Sequence, residues 1–351
     1  MRYLNTLKVL LTIVLIISIT GCSTRSDQEN GNSQVMSDSN KSTITNPLWE
    51  EDFADPHVLR SAKGWHAYAT GNPGYYNIGV ATSSDFTNWG PVQEALPDRP
   101  SWQPIVQGLT WAPDVSKVGN RFLMLYVARQ ESSGLQCLSR AWSDSADGPF
   151  IDNSKAPFIC QSDIGGTIDP HMFVSSSGKK YLYFKNDGNA VGVETKIWVA
   201  EVDEDGDLLQ KPVDTGLKNF RSWHGNVVEA PSVFENEGKF YLTYSANDYG
   251  SEFYAVGWAI SNSPLGPWSD ESIEPLLATS GLVAGPGGQQ VFRDDDSNLW
   301  IAYHAWTYGK VGYGDGTGNA RSFRIDRIEI INNQITTNGP TIAPIAKPVT
   351  R

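Results

Sequence analysis

Five segments of this sequence repeat one pattern at nearly even spacing, and this repeat constrains the fold more than any other feature. Each segment has a small or acidic residue beside a proline, an apolar strand pattern, a polar turn and an aromatic-rich strand pattern. The prolines are Pro56, Pro113, Pro170, Pro231 and Pro286, at spacings of 57, 57, 61 and 55 residues. A motif that recurs at such a period indicates an architecture built from one repeated unit.

The runs within each repeat are typical of β-strands. Short apolar or alternating runs, such as Lys180 to Phe184 and Leu299 to Tyr303, are separated by Gly, Pro, Asn, Asp and Ser. Units of 55–61 residues with about four strands each predict an all-β, five-bladed β-propeller. A β-sandwich or a β-helix is the alternative. A sandwich would not repeat one motif five times, however, and a β-helix coil is shorter.

The N-terminus has the composition of an export signal. Arg2 and Lys8 accompany an apolar run of 11 residues from Val9 to Ile19. This run is too short to span a bilayer, which needs about 20 residues, but it is typical of the hydrophobic region of a signal peptide. We therefore predict a signal peptide over residues 1–21.

The segment Ile19-Thr20-Gly21-Cys22 resembles a bacterial lipobox. The resemblance implies cleavage before Cys22 and a diacylglycerol on its thiol, which would make the protein a membrane-anchored, extracytoplasmic lipoprotein of the cell envelope. We predict a flexible polar tether over residues 22–45 and the propeller over residues 46–351. The alternative is an ordinary signal peptide followed by an incidental cysteine.

Two further cysteines, Cys137 and Cys160, form an even pair in a chain that is predicted to be exported. Disulfides persist in such oxidising compartments. We therefore predict a disulfide between Cys137 and Cys160, with two buried free thiols as the alternative.

The charge of the chain argues against one class of partner. Its 27 Lys and Arg residues and 39 Asp and Glu residues give a formal charge of −12, and no basic block occurs. Proteins that bind nucleic acid depend on basic side chains for their phosphate contacts. We therefore expect no nucleic-acid partner.

Three carboxylates recur beside the repeated prolines. The first strand of each propeller blade lines the central channel, so equivalent positions in successive blades should face one axis. Asp55, Asp169 and Glu229 are assigned to such positions, and Asp114 lies close to one. A protonated carboxyl beside an ionised one is what acid–base hydrolysis of a glycoside needs. A metal site and structural caps are the alternatives.

Four ordered motifs resemble those of glycoside hydrolase family 43: Asp55-Pro56, Trp111-Ala112-Pro113-Asp114, Ile168-Asp169-Pro170 and Glu229-Ala230-Pro231. The resemblance implies a five-bladed propeller that cleaves arabinans, arabinoxylans or xylo-oligosaccharides with inversion at the anomeric carbon. It implies that Asp55 is the general base, that Glu229 is the general acid, and that Asp169 orients the acid and modulates its pKa. Inversion requires about 6.5–9.5 Å between the base and acid carboxyls.

One position departs from the family pattern. Many members carry a histidine after Gly-Pro-Gly in the fifth blade, near a cation on the propeller axis, whereas Gly288 stands there in this chain. The predicted reaction requires no cofactor. Whether a structural calcium ion lies on the axis is left open by the sequence. His304 is either a substitute for the missing histidine or a buried, hydrogen-bonded residue. We expect His57 and His171 to bond neighbouring loops.

Further side chains are candidates for binding the sugar, because aromatic faces stack on C–H groups and polar groups bind hydroxyls. These substrate-binding candidates are Phe53, Trp111, Asp114, Trp223, His304 and Arg321. Packing between blades is the alternative for the three aromatic residues. Arg321 resembles the family arginine that reaches into the funnel, and Lys185 is a weaker candidate.

The resemblance is strongest to the exo-acting α-L-arabinofuranosidase branch of the family, through the motif order, the cysteine spacing and the segment from Lys185 to Asn189. We therefore expect removal of terminal α-L-arabinofuranosyl units from arabinan or arabino-oligosaccharides. A β-xylosidase that acts on xylose-containing oligosaccharides is the first alternative. An inactive sugar-binding lipoprotein and a metal-dependent propeller, such as a phosphatase or lactonase, are the others.

Overall fold

The computed structural model describes residues 42–105, 109–313 and 319–351, whose main sheets form a five-bladed β-propeller. The innermost strands of successive sheets contact one another, and the last contacts the first, so the ring is closed. The predicted fold class is confirmed. Among the described residues, we find no helix with the length and apolar character needed to cross a bilayer. The predicted signal peptide and Cys22 lie outside the described residues.

Most of the regular structure in the described chain is strand. The three short 3-10 helices are Ser162–Ile164, Gly188–Val191 and Ser222–His224. The strands, in chain order, are β1 (Thr43–Ile44), β2 (His57–Ser61), β3 (Gly64–Ala69), β4 (Gly79–Ser83), β5 (Gln93–Glu94), β6 (Thr110–Val118), β7 (Arg121–Arg129), β8 (Gln136–Ser143), β9 (Thr167–Val174), β10 (Lys180–Asn186), β11 (Lys196–Val202), β12 (Val213–Lys218), β13 (Val228–Asn236), β14 (Lys239–Ala246), β15 (Ala255–Ser261), β16 (Ser269–Asp270), β17 (Val283–Arg293), β18 (Leu299–Thr307), β19 (Ser322–Ile331), β20 (Gln334–Thr337) and β21 (Ile345–Ala346).

Each blade is an antiparallel meander of consecutive strands, with the first strand innermost. Blades 1 to 5 consist of β2–β5, β6–β8, β9–β12, β13–β16 and β17–β20. Blade 2 has three of these strands, and isolated bridges from Leu138 to Ile159 and from Trp142 to Ile151 continue its outer edge. A disulfide joins Cys137 of β8 to Cys160 beside this edge, as predicted.

The first described residues pair with the last blade. Strand β1 pairs with β21 near the C-terminus, so regular structure begins three residues before the predicted start of the domain at residue 46. Farther along, the Leu48 N–H donates to the Phe323 carbonyl of β19 at 2.8 Å. The Asn46 side chain donates to the Ile325 carbonyl at 2.7 Å. These contacts fasten the start of blade 1 to blade 5.

The hydrophobic core is divided into five clusters, and each cluster lies between two adjacent blades. Burial of these apolar surfaces is the main force that holds the blades together. The cluster between blades 5 and 1 contains Phe53, which is fully buried and stacks on Phe323 with 5.3 Å between ring centroids. The prediction that Phe53 forms a wall of a sugar subsite is therefore wrong, because its ring packs the blades together.

The residue before each repeated proline has a left-handed backbone. The φ angles are 50° at Asp55, 44° at Ala112, 54° at Asp169, 51° at Ala230 and 56° at Gly285. This conformation is strained for a residue that has a Cβ and precedes proline. In blades 2 to 5 the register of the innermost strand pair also shifts here, which re-aims the side chains around the channel.

The prediction that Glu229 occupies the position equivalent to Asp55 and Asp169 is wrong. Ala230 occupies it, and Glu229 lies one residue earlier. Successive strand residues point to opposite sides, so this offset alone would turn the side chain away from the channel. The register shift between Glu229 and Ser232 falls at this point and breaks the strict alternation.

Candidate active site

Asp55 lies just before β2 beside two basic groups. Its Oδ1 is 3.7 Å from Nη1 of Arg321 and 3.3 Å from Nδ1 of His304, and the Thr70 hydroxyl donates to Oδ2. Burial alone would raise the pKa of Asp55, but the Arg321 charge and the contact with His304 hold it well below its usual range. Asp55 is therefore ionised at neutral pH. About 24% of its side chain stays exposed, which leaves the carboxylate accessible to water.

Glu229 is held by a donor on each of its oxygens. Lys185 donates to Oε2 at 2.8 Å, and the Tyr254 hydroxyl donates to Oε1 at 2.7 Å. The glutamate side chain is 13% exposed, whereas that of Lys185 is fully buried. The two hydrogen bonds fix the orientation of the carboxyl group.

Asp169 has a different environment from the other two carboxylates. Its Oδ2 accepts a hydrogen bond from the Ala230 N–H at 2.9 Å. Burial, followed by the charges of Glu229 and Asp55, raises the pKa of Asp169 to about 8. These interactions show that the three predicted carboxylates lie together. The surroundings of Asp169 therefore shift its pKa in the direction opposite to that of Asp55.

Arg321 is fixed beside Asp55 by a polar and aromatic cluster. Its Nε donates to the Tyr313 hydroxyl at 2.8 Å, and its backbone N–H donates to Oδ1 of Asp52 at 2.9 Å. The Tyr313 hydroxyl in turn donates to Asp52 at 2.9 Å. The guanidinium carbon lies 5.1 Å from the ring centroid of Tyr249 and 5.5 Å from that of Tyr313. Arg321 therefore lies beside Asp55, and its binding of a sugar hydroxyl stays a prediction.

Asp114 lines the same central channel as Asp55 and Asp169 but is only 2% exposed. Its Oδ2 is 3.1 Å from Nδ1 of His171 and 3.5 Å from Nδ1 of His57. Nε2 of each histidine contacts a carbonyl of the following blade, Val115 for His57 at 2.9 Å and Val233 for His171 at 3.1 Å. The two histidines therefore link neighbouring blades, as expected. The prediction that Asp114 binds substrate is wrong, because its carboxylate is buried and already bonded.

Gly288 and His304 lie where the family pattern places an axial cation. A Cβ at position 288 would lie 2.4 Å from Cε1 of His304 and 2.5 Å from Oδ1 of Asp55, so His304 takes the space of a side chain there. The Asp55 N–H donates to Nδ1 of His304 at 3.1 Å, which places the hydrogen of a neutral ring on Nε2. Among the described residues, the buried Nε2 has no hydrogen-bond partner.

Across residues 42–105, 109–313 and 319–351, no group of three or more His, Cys, Asp and Glu side chains is arranged to hold a metal ion. His304 is fully buried, so the prediction that it binds substrate is also wrong. Of the two interpretations of His304, its burial and the hydrogen bond to Nδ1 favour the buried, hydrogen-bonded residue.

Two tryptophans remain from the predicted subsite walls. Trp111 is half-buried at the start of β6 against the core between blades 2 and 3, and it stays a candidate wall. Trp223 stacks on Tyr244 with 6.0 Å between ring centroids, and its indole N–H donates to the Ser272 carbonyl at 3.2 Å. These contacts favour blade packing as the role of Trp223.

Sequence reasoning missed Tyr254 and Thr70, and it ranked Lys185 only as a weaker candidate. Tyr254 lies between β14 and β15, where no repeated motif marks it. Thr70 directly follows β3 at the end of a second strand. Lys185 lies near the end of the second strand of blade 3. The corresponding position in blade 1 could therefore have identified Thr70 as a candidate.

The chain is similar to known proteins in sequence and in fold. The sequence model of the family described as Glycosyl hydrolases family 43 matches residues 44–335. The extracellular endo-α-(1→5)-L-arabinanase 1 of Bacillus subtilis (strain 168) is 25% identical over 254 residues, which are 68% of this chain and 76% of that protein. The β-D-galactofuranosidase xynD of Aspergillus niger is 24% identical over 277 residues, or 74% of this chain and 75% of that protein. The crystal structure of a thermostable family-43 glycoside hydrolase has a TM-score of 0.76 and 30% identity, and the match covers 88% of this chain and 100% of that chain.

Proposed function

This chain belongs to glycosyl hydrolases family 43 and is a glycoside hydrolase, and on that premise we propose that it removes terminal α-L-arabinofuranosyl units from arabinan or arabino-oligosaccharides. Asp55 is the general base that activates water. Glu229 is the general acid that protonates the leaving sugar, and Asp169 modulates the proton affinity of the acid. The reaction inverts the anomeric carbon.

The observation that carries this proposal is the asymmetry between the carboxylates. Arg321 keeps Asp55 ionised, whereas burial and neighbouring carboxylates raise the pKa of Asp169 beside Glu229 to about 8. An ionised carboxylate can take a proton from water, and a proton-bearing pair can give one to the leaving oxygen. Acid–base hydrolysis of a glycoside needs this combination on the two sides of the bond.

Two observations support an arabinose-releasing, exo-acting enzyme. The Bacillus subtilis relative is named an endo-arabinanase, which supports arabinan as the substrate, and a Streptomyces avermitilis relative that is 22% identical is named an exo-α-(1→5)-L-arabinofuranosidase, which supports action at chain ends. In addition, Arg321 is only 8% exposed and lies close to the rings of Tyr249 and Tyr313. The two rings, each 46% exposed, flank Arg321 next to Asp55 and can contact a terminal sugar there.

We also propose that the enzyme acts outside the cytoplasm, anchored through a lipid on Cys22. The lipobox-like segment before Cys22 and the extracellular name of the Bacillus subtilis relative support this location. Radioactive palmitate labelling of the full chain tests the anchor. Label should enter the wild type and not the C22S variant.

A hydrolysis panel tests the substrate. The chain from Ser23 onward is incubated with an aryl α-L-arabinofuranoside, an aryl β-D-xyloside and linear arabino-oligosaccharides, with and without chelator. We expect release of arabinose that chelator does not inhibit. Release of xylose would reassign the enzyme as a β-xylosidase. Longer arabino-oligosaccharide products would show endo cleavage, and sugar binding without any release would favour an inactive sugar-binding protein.

A further inference from the structure

We propose that Lys185 is a positioning residue that determines which carboxyl group of the Asp169–Glu229 pair carries the proton in the free enzyme. In this account the charge of Lys185 pairs with Glu229, and the proton of the pair rests on Asp169. The proton then moves to Glu229 for catalysis. This inference rests on the proposed function and deepens it, because it concerns how the acid is loaded.

Lys185 is a fully buried cation whose amine is held by neighbouring side chains. Its side chain is 0% exposed, near the end of β10. Nζ donates to Oε2 of Glu229 at 2.8 Å and to Oδ1 of Asn189 at 2.7 Å, and it lies 3.8 Å from Oδ1 of Asp187. Although burial alone would lower the pKa of Lys185, the charges of Glu229, Asp169 and Asp187 raise it, so the amine stays protonated.

Within the part of the chain that the structure describes, no ion pair within 4.0 Å involves Asp169, although the charge of Lys185 acts on it and lowers its pKa. The charged and titratable groups that face this pair are Asp55, Asp169, Lys185, Asp187, Glu229, Tyr254 and Arg321. Arg321 accompanies Asp55, and Lys185 accompanies Glu229. Asp169 has a hydrogen bond from the Ala230 N–H. The cost of a further buried negative charge is therefore greatest at Asp169, which is where a proton is most favourable.

Loading the acid moves one proton and leaves the charge of the cluster unchanged. Asp169 loses its proton and becomes a carboxylate, while Glu229 gains the proton and becomes neutral. Lys185 then loses its ionic partner on Glu229 but keeps its hydrogen bond to Asn189, and it remains in the field of Asp169 and Asp187. The amine can therefore stay buried in both states. Since both carboxyls share one proton, the basic limb of the pH–rate profile reports the pair.

The test compares the pH dependence of kcat/KM for wild type, K185M and K185R on an aryl α-L-arabinofuranoside. Removal of the cation should move the basic limb to higher pH by about 1–3 pH units, because a neighbouring positive charge favours the ionised carboxyl. K185R keeps the charge and should leave the limb in place. The matched control is K196M, since Lys196 is partly exposed and bonds Asp214 on the same blade at 2.9 Å.

A second variant keeps the inference testable if K185M does not fold. D187N removes a negative charge and should move the basic limb to lower pH, the opposite direction. An unchanged limb in a folded K185M, with kcat/KM reduced equally at every pH, would overturn the inference and leave Lys185 with a structural role only. An unchanged limb in D187N would also overturn it. Failure of the wild type to hydrolyse any glycoside would instead overturn the proposed function.

Discussion

The E229Q variant is expected to lose about 10²–10⁴-fold in kcat on an unactivated arabino-oligosaccharide, because it removes the proton donor. Glutamine has nearly the same size and can still accept the hydrogen bond from Tyr254, but it has no proton to give to the leaving oxygen. An aryl α-L-arabinofuranoside with a good leaving group needs little protonation. Its cleavage should fall much less. Steady-state kinetics on the two substrates measure this difference.

The matched control for E229Q is E235Q. Glu235 lies in the same strand, β13, and accepts hydrogen bonds from Ser176. It should retain both activities. An equal loss on both substrates in E229Q would show that Glu229 acts in some way other than protonating the leaving group, and normal rates on both would remove it from the mechanism.

The D55N variant is expected to lose about 10²–10⁴-fold in kcat on both substrates alike, because no carboxylate remains to take a proton from water. The leaving group does not matter for this step, so activation of the substrate cannot compensate. Binding should persist, since Arg321 keeps its contacts with Tyr313 and Asp52. Calorimetric titration with an arabino-oligosaccharide measures binding separately from turnover.

D144N makes the same change of residue type at a distant position. The Asp144 side chain is 95% exposed on blade 2, so this variant should behave as wild type. If D55N lost activity only on the oligosaccharide and kept it on the aryl glycoside, Asp55 would be acting on the leaving group. The assignments of base and acid would then have to be exchanged.

The fold was predictable because the same proline-containing motif recurs at the same point of each blade. A proline at 55–61-residue intervals marks the point where each innermost strand begins or bends, and the residue before it adopts a left-handed conformation in all five blades. The pattern therefore indicates blade number and order without any knowledge of distances. It does not indicate that β1 pairs with β21 or that Asn46 and Leu48 bond blade 5, because these contacts join the two ends of the described chain.

The site was predictable only in part, because strand direction and contacts between blades are not local properties. Phe53 and Asp114 lie beside channel motifs, yet the ring of Phe53 packs between blades and the carboxylate of Asp114 faces two histidines. A shift of one residue along a strand changes the side to which a side chain points, and Glu229 lies one residue before the position equivalent to Asp55 and Asp169. Tyr254 and Lys185 reach Glu229 from other parts of the chain, at separations of 25 and 44 residues.

The stereochemical course of hydrolysis tests the central claim most directly. Proton NMR follows the first product that the wild-type enzyme forms from an aryl α-L-arabinofuranoside, before the free sugar mutarotates. If Asp55 activates water while Glu229 protonates the leaving group, the β-anomer of arabinose appears first and the α-anomer follows slowly. Initial appearance of the α-anomer would mean retention through a covalent intermediate, and it would contradict the assignment of Asp55 as a general base.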